Sequence, residues 1–286
     1  MLGAEAAAGA DEEQRRLAQL LAFARRRLTG DYDVDEFGFD AELTERLLLP
    51  ALRPLAARWF RIDVRGIDNI PAAGGALVVS NHSGTVPVDA LMTTLVVHDH
   101  AQRSLRMLGA DLVFAVPFLG ELARKSGATL ASTEDAERLL RAGELVGVWP
   151  EGFKGVGKPF SDRYQLQRFG RGGFVAAAVR LGVPIVPCSV VGAEEIYPMI
   201  ANVPFLARLL KLPYFPVTPI FPWLGPLGLV PLPSKWLIEF GEPIPTDAYA
   251  AAADDPRLFL NLTDRVRETI QQGVDALLDQ RPDVFG

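Results

Sequence analysis

From Gly66 onward, short apolar runs alternate with helical patterns, and this alternation restricts the chain to few architectures. It is how βα units of a mostly parallel sheet appear in sequence. The runs at 76–79, 105–108, 128–131, 145–149, 185–190 and 236–240 are read as strands, and helical patterns fall near 88–97, 134–141, 172–181 and 256–278. In the last of these Asp255 is placed to cap, Pro256 suits the first turn, and Leu262, Val266, Ile270 and Val274 recur every four residues. The expected fold is α/β: a single mostly parallel β-sheet flanked by helices over 66–286, with an N-terminal helical extension over 1–65.

The extension begins with a helical pattern at 11–29 that ends in Arg25, Arg26 and Arg27 before Gly30. An acidic linker, DYDVDEFGFD, follows. Then Leu48, Leu52, Leu55 and Trp59 form an apolar stripe that Pro50 and Pro54 are expected to kink or split. Five arginines and one aspartate lie between Arg46 and Arg65. Two readings stay open here: a helix packed on the core with solvated arginines, or a cationic segment resting on anionic lipid. A charge-free stretch at 212–234 is long enough to cross a bilayer, but its seven prolines exclude a spanning helix. It is either a buried loop or an apolar surface in which Tyr214, Phe215, Phe221 and Trp223 meet a membrane interface or an acyl chain.

Net charge −6 argues against a nucleic-acid partner. A single cysteine, Cys188, forms no internal disulfide, and the N-terminus lacks the basic flank and apolar run of a secretory signal, so the expected compartment is cytoplasmic.

The chemistry concentrates in GALVVSNHSGTVPVDA, where a strand of buried type runs into Asn81, His82, Ser83, Gly84 and Pro87, with Asp89 following. Polar side chains just past the carboxyl end of a strand are where α/β sheets place ligands. Of three histidines, His82 is the leading candidate base. In general-base catalysis an imidazole takes a proton from a hydroxyl as that oxygen attacks a carbonyl, and a carboxylate on its other nitrogen fixes the tautomer. Asp89 is the candidate carboxylate. Residues seven apart on a continuous helix lie ~10 Å apart, so the connector must fold back, which Gly84 and Pro87 permit. A merely structural histidine fits the same local pattern.

Three blocks, SNHSGTVPVD, VWPEGFKGVGK and VPIVPCSVVGAEE, occur in this order. Together they resemble the glycerophosphate and lysophospholipid acyltransferase superfamily (1-acylglycerol-3-phosphate acyltransferase-like), whose blocks read roughly NHxxxxD, FPEGTRS and VPIVPV. The resemblance covers about 64–245. It implies that His82 deprotonates an acceptor hydroxyl that attacks an acyl thioester, with Asp89 orienting the base. With it goes an expected substrate-binding set of Asn81, Ser83, Gly84, Glu151, Gly152 and Lys154, to which the local basic excess adds Lys158 and Arg163 as expected anion contacts, and no metal or redox cofactor is expected. The implied donor is acyl-CoA or acyl-carrier-protein. The implied acceptor is a lysophospholipid or other glycerolipid, met by a peripheral protein at the cytoplasmic side of a membrane surface.

The chain departs from the family pattern in ways that resemble a divergent branch. The usual spacing puts the aspartate at the position of Pro87, Ser132 and Thr133 stand where a phosphate-binding arginine ends the second block's strand, and Phe153 and Lys154 replace a small polar residue and an arginine. Without the family, the five basic residues Lys154, Lys158, Arg163, Arg168 and Arg171 between 151 and 171 are either an anion site or a solvated loop. A glycine-rich FGRGGF before a helix is a weak anion-binding pattern. Two other function classes stay open: an acyl-thioesterase or lipid hydrolase using the same histidine, and a non-catalytic lipid-binding protein. The His98, Asp99, His100 run reads as a helix terminus rather than a metal site, Ser83 lacks a GxSxG elbow, Glu194 and Glu195 suit the first turn of a short helix, and Cys188 suits inert packing.

Overall fold

All six expected strands form, within one or two residues of their expected limits, in the computed structural model, which describes residues 14, 18–170, 172–252, 255–281 and 283–285. In chain order, helix α1 covers 41–59, followed by β1 (Asp63–Arg65), β2 (Ala76–Ser80), α2 (Val88–Ala101), β3 (Leu105–Gly109), α3 (Asp111–Ala115), α4 (Leu119–Lys125) and β4 (Thr129–Leu130). Then come α5 (Thr133–Arg141), β5 (Leu145–Val148), α6 (Phe153–Val156), α7 (Gly173–Leu181) and β6 (Ile185–Val191). The chain closes with β7 (Ala201–Asn202), α8 (Pro204–Leu209), β8 (Pro216–Val217), β9 (Leu237–Phe240) and α9 (Pro256–Gln280). Seven strands make one sheet in the order β1-β9-β6-β2-β5-β3-β4, and β7 pairs with β8 apart from it. All neighbours in the large sheet are parallel except β6 and β9.

β2 lies inside the sheet between β5 and β6, and all five of its residues are buried. Helices cover both faces of such a strand, so it reads as a continuous apolar run rather than an alternation. Leu77 and Val79 join the core beneath α7 and α9, whereas Ala76 and Val78 join the opposite core with Phe60 and Trp236. α9 turns Leu262, Val266, Ile270, Val274 and Leu277 inward, all buried. At ~1.5–3 kcal/mol per buried side chain, that stripe fixes the helix on the sheet.

Four features of the N-terminal region add to its sequence reading. β1 at 63–65 is an edge strand of the large sheet, so the sheet unit begins before the expected boundary at 66. The prolines do not split α1. Five-residue π turns at Thr44–Leu48 and Leu55–Trp59 flank them, with Leu49 N–H and Phe60 N–H each bonding a carbonyl five residues back, and the helical run continues through the missing amides. The acidic segment 31–40 is a strap rather than a free linker: Asp35 pairs with buried Arg106 at 2.7 Å, Glu36 with Arg138 at 2.5 Å, and Asp40 with Arg27. Of the five arginines between 46 and 65, four meet partners: Arg46 meets Glu42, Arg53 grips Asp99 with two bonds, Arg61 bonds backbone carbonyls and Arg65 meets Asp63, while Arg58 is exposed. The expected helix at 11–29 is helical at 18–29, while 11–13 and 15–17 lie outside the described residues.

Candidate active site

The carboxyl ends of β2, β5 and β6, three adjacent parallel strands, carry His82, Glu151 and Glu194 to one edge of the sheet. After β2 the connector reverses as the spacing required. Gly84 has φ +92°, and a Cβ there would stand 2.7 Å from the Ala193 carbonyl oxygen, so both the backbone angle and the close approach exclude a side chain. Thr85 also has positive φ, held by its hydroxyl donating to the Tyr197 carbonyl at 3.0 Å and by its own carbonyl accepting from the Tyr214 hydroxyl.

This reversal brings His82 Nδ1 to 2.8 Å from Asp89 Oδ2. Asp89 is fully buried in the first turn of α2, where the helix dipole favours a carboxylate, and the same oxygen accepts the Ser83 N–H at 2.9 Å. A carboxylate only accepts, so the shared proton belongs to Nδ1 and the lone pair to Nε2. Among the described residues Nε2 makes no hydrogen bond. The ring stays partly exposed, with the Trp149 ring centroid 6.0 Å away. A base with a fixed tautomer and an open lone pair can take a proton from a hydroxyl.

Glu151 holds the other side of His82. Its Oε1 accepts the His82 backbone N–H at 2.8 Å, and its Oε2 accepts Gln167 N–H at 2.6 Å. Burial raises its carboxyl above the ordinary value, against the opposing pull of Lys158 and the two N–H groups. Lys158 is buried as well, with Nζ 3.0 Å from Glu194 Oε1 and 3.8 Å from Glu151 Oε2. Burial drives Glu194 up to about 7, again opposed by Lys158. Gly155 packs on this arrangement: a Cβ there would lie 2.7 Å from the His82 carbonyl oxygen and 2.8 Å from Glu151 Cβ.

Several of the expected substrate contacts are buried and bonded within the protein itself. Asn81 is fully buried, and its amide exchanges two hydrogen bonds with the Val190 backbone, locking β2 to β6. Ser83 is fully buried and contributes its N–H to Asp89. Glu151 and Lys158 are buried, Glu151 accepting from the His82 and Gln167 backbone and Lys158 meeting Glu194 and the Gln165 carbonyl. Arg163 stacks on Phe160 and lines a depression of about 610 Å³ with Tyr164, Glu195, Gln271 and Arg281, a set that excludes His82 and Asp89. Gly152 has φ +54° with open space where a Cβ would stand, and Lys154 and Phe153 are exposed beside it. Ser132, in the slot of the family's arginine, accepts the Asp135 N–H and caps α5. Gly155 and Lys158's inward role were missed; a glycine between two apolar or basic positions gives no sign of the backbone it touches.

Elsewhere, His98 and Asp99 lie in the last turn of α2, where Asp99 serves Arg53. No cluster of three or more His, Cys, Asp or Glu side chains suited to a metal occurs among the described residues. Arg171 of the basic loop lies outside them.

Residues 61–191 match the sequence profile of the Acyltransferase family. An uncharacterized protein of Mycobacterium tuberculosis is 59% identical over 276 residues, covering 94% of this chain and 77% of its own length. The human "DGAT1/2-independent enzyme synthesizing storage lipids" is 25% identical over 81% of this chain and 65% of its own length. The crystal structure of the 1-acyl-sn-glycerophosphate acyltransferase PlsC from Thermotoga maritima superposes with TM-score 0.52 at 19% identity, covering 83% of each chain, which is a likeness of fold.

Proposed function

The chain belongs to the acyltransferase family, and from that premise we propose that it moves a fatty acyl group from an acyl-CoA or acyl-carrier-protein thioester to a hydroxyl of a glycerolipid. The observation that carries this reading is the 2.8 Å contact between His82 Nδ1 and Asp89 Oδ2, which leaves Nε2 as the open base. Nε2 takes the proton of the acceptor hydroxyl as its oxygen bonds the thioester carbonyl carbon. The tetrahedral oxyanion collapses, the C–S bond breaks, and the imidazolium returns the proton to the departing thiolate. An ester and a free thiol result. Asp89, beside Nδ1–H throughout, stabilises the imidazolium while it exists.

The acceptor is a glycerolipid that the protein meets as a peripheral protein at a membrane surface. In support, no helix among the described residues is long and apolar enough to cross a membrane, and the chain resembles a human protein named for storage-lipid synthesis. The slot of the family's phosphate-binding arginine holds the helix cap Ser132, so an acceptor phosphate, where present, is left to other cations such as exposed Lys154.

Incubating the purified chain with labelled acyl-CoA and a panel of lysophospholipids and neutral glycerolipids, with mass spectrometry of products, tests the reaction class. Labelled ester on at least one glycerolipid is expected. Free fatty acid as the product, unchanged when acceptors are added, would identify a hydrolase instead.

A further inference from the structure

Between β6 and β9 the chain inserts about forty residues that carry β7, α8 and β8. Their surface is unusual for a chain of net charge −6. Phe205, Leu209, Trp223, Leu224, Leu227 and Leu229 are each more than half exposed, Trp223 at 71%. Monomeric soluble proteins rarely leave so many large apolar side chains of one short segment in water. From Ile196 to Ile238 there is no aspartate or glutamate, while Arg208 and Lys211 are exposed beside Leu209, Leu210 and Leu212. Apolar side chains with free cations and no acids complement a bilayer bearing anionic headgroups, and the prolines and short elements suit lying on it rather than spanning it.

The insertion also reaches the candidate base. Tyr197 and Tyr214 both hydrogen-bond Thr85, three residues after His82, and Trp59 at the end of α1 donates to the Pro231 carbonyl at 2.9 Å. A contact made by this segment therefore bears on the loop that carries the imidazole.

We propose that the insertion at 196–236 is the surface by which the protein docks on an anionic lipid bilayer, with Trp223 and Leu227 entering the interface and Arg208 and Lys211 meeting the headgroups. This rests on the lipid-acceptor reading above and assigns the contact to the insertion, not to the arginine-rich α1.

The test uses the full chain with phosphatidylcholine vesicles with and without phosphatidylglycerol. Binding is expected only to the phosphatidylglycerol vesicles and to weaken as salt rises. R208E/K211E and, separately, W223S/L227S are each expected to weaken it by on the order of tenfold or more, while the circular dichroism spectrum and melting temperature stay as in the wild type. Tryptophan emission is expected to shift to the blue on vesicle binding, and W223F is expected to lose that shift. Wild-type binding by both double variants, a shift that persists in W223F, or self-association of the wild type in place of vesicle binding would each overturn the proposal. Transfer to an acceptor dispersed in detergent micelles separates the two readings. If the wild type binds vesicles through Trp223 but acylates no micellar glycerolipid, the docking surface stands and the acyl-transfer reading fails.

Discussion

Two carboxylates flank His82, and they do different work. Asp89 comes from the helix after β2 and bonds the ring; Glu151 comes from the end of β5 and bonds the backbone N–H of the same residue. Asp89 touches the imidazole itself, so in the proposed reaction its loss acts on the chemical step. Glu151 fixes where the residue stands, and its own second oxygen and Lys158 tie that position to Gln167 and Glu194. A charge beside the proposed base is therefore not by itself assigned to the reaction; which atom it touches decides.

Asp89→Asn breaks that comparison hardest. Its amide preserves the size of the side chain but removes the negative charge opposite the imidazolium, and a loss on the order of 10²-fold or more in kcat is expected, with KM for the acyl donor little changed. Steady-state kinetics check it; a loss of less than about twofold would place Asp89 with the supports. Glu151→Gln retains an oxygen for the His82 N–H while losing the charge beside Lys158, so a smaller fall, on the order of tenfold, is expected, together with a lower melting temperature because Lys158 keeps one carboxylate, Glu194, beside the Gln165 carbonyl. A fall equal to that of Asp89→Asn would erase the distinction drawn between the two carboxylates.

Glu194→Gln probes a buried group that bonds neither the ring nor the backbone of His82, only Tyr164 N–H and Lys158, and carries the smallest effect. Burial raises the folded-state pKa of Glu194 from 4.5 to about 7, so this group favours the folded chain most below pH 4.5, and that contribution is lost as pH rises through 7. Urea unfolding at pH 5 and at pH 7.5 is expected to show the wild type losing stability relative to Glu194→Gln across that interval. A constant difference between the two proteins would show that Lys158 holds the carboxylate ionised throughout.

How much of this was legible beforehand depended on whether partners were local. β2, β5 and β6 are buried apolar runs, which sequence displays directly, and the polar turn after β2 announced His82 and the need for a reversal to Asp89. β1, β7 and β8 are two or three residues long and carry no periodicity to read. Charge partners were harder to read. The arginines of α1 looked free because Asp99 lies 46 residues from Arg53 in sequence, yet folding joins them and lowers the Asp99 carboxyl through that pair. Lys158 looked like an anion contact for the same reason, since Glu194 reaches it only across the sheet. The proline-rich stretch at 212–234 offered two readings, and the exposure of Trp223, Leu224, Leu227 and Leu229 favours the apolar surface, while Tyr214, Phe215 and Phe221, named for the same surface, are partly buried.

The central claim is that Nε2 of His82 accepts the hydroxyl proton during acyl transfer. Its most direct test is turnover by His82→Ala, with folding verified by circular dichroism, measured as labelled acyl glycerolipid formed from labelled acyl-CoA. A loss of ~10²- to 10⁴-fold in kcat is the predicted result. Product formation at the wild-type rate would contradict it.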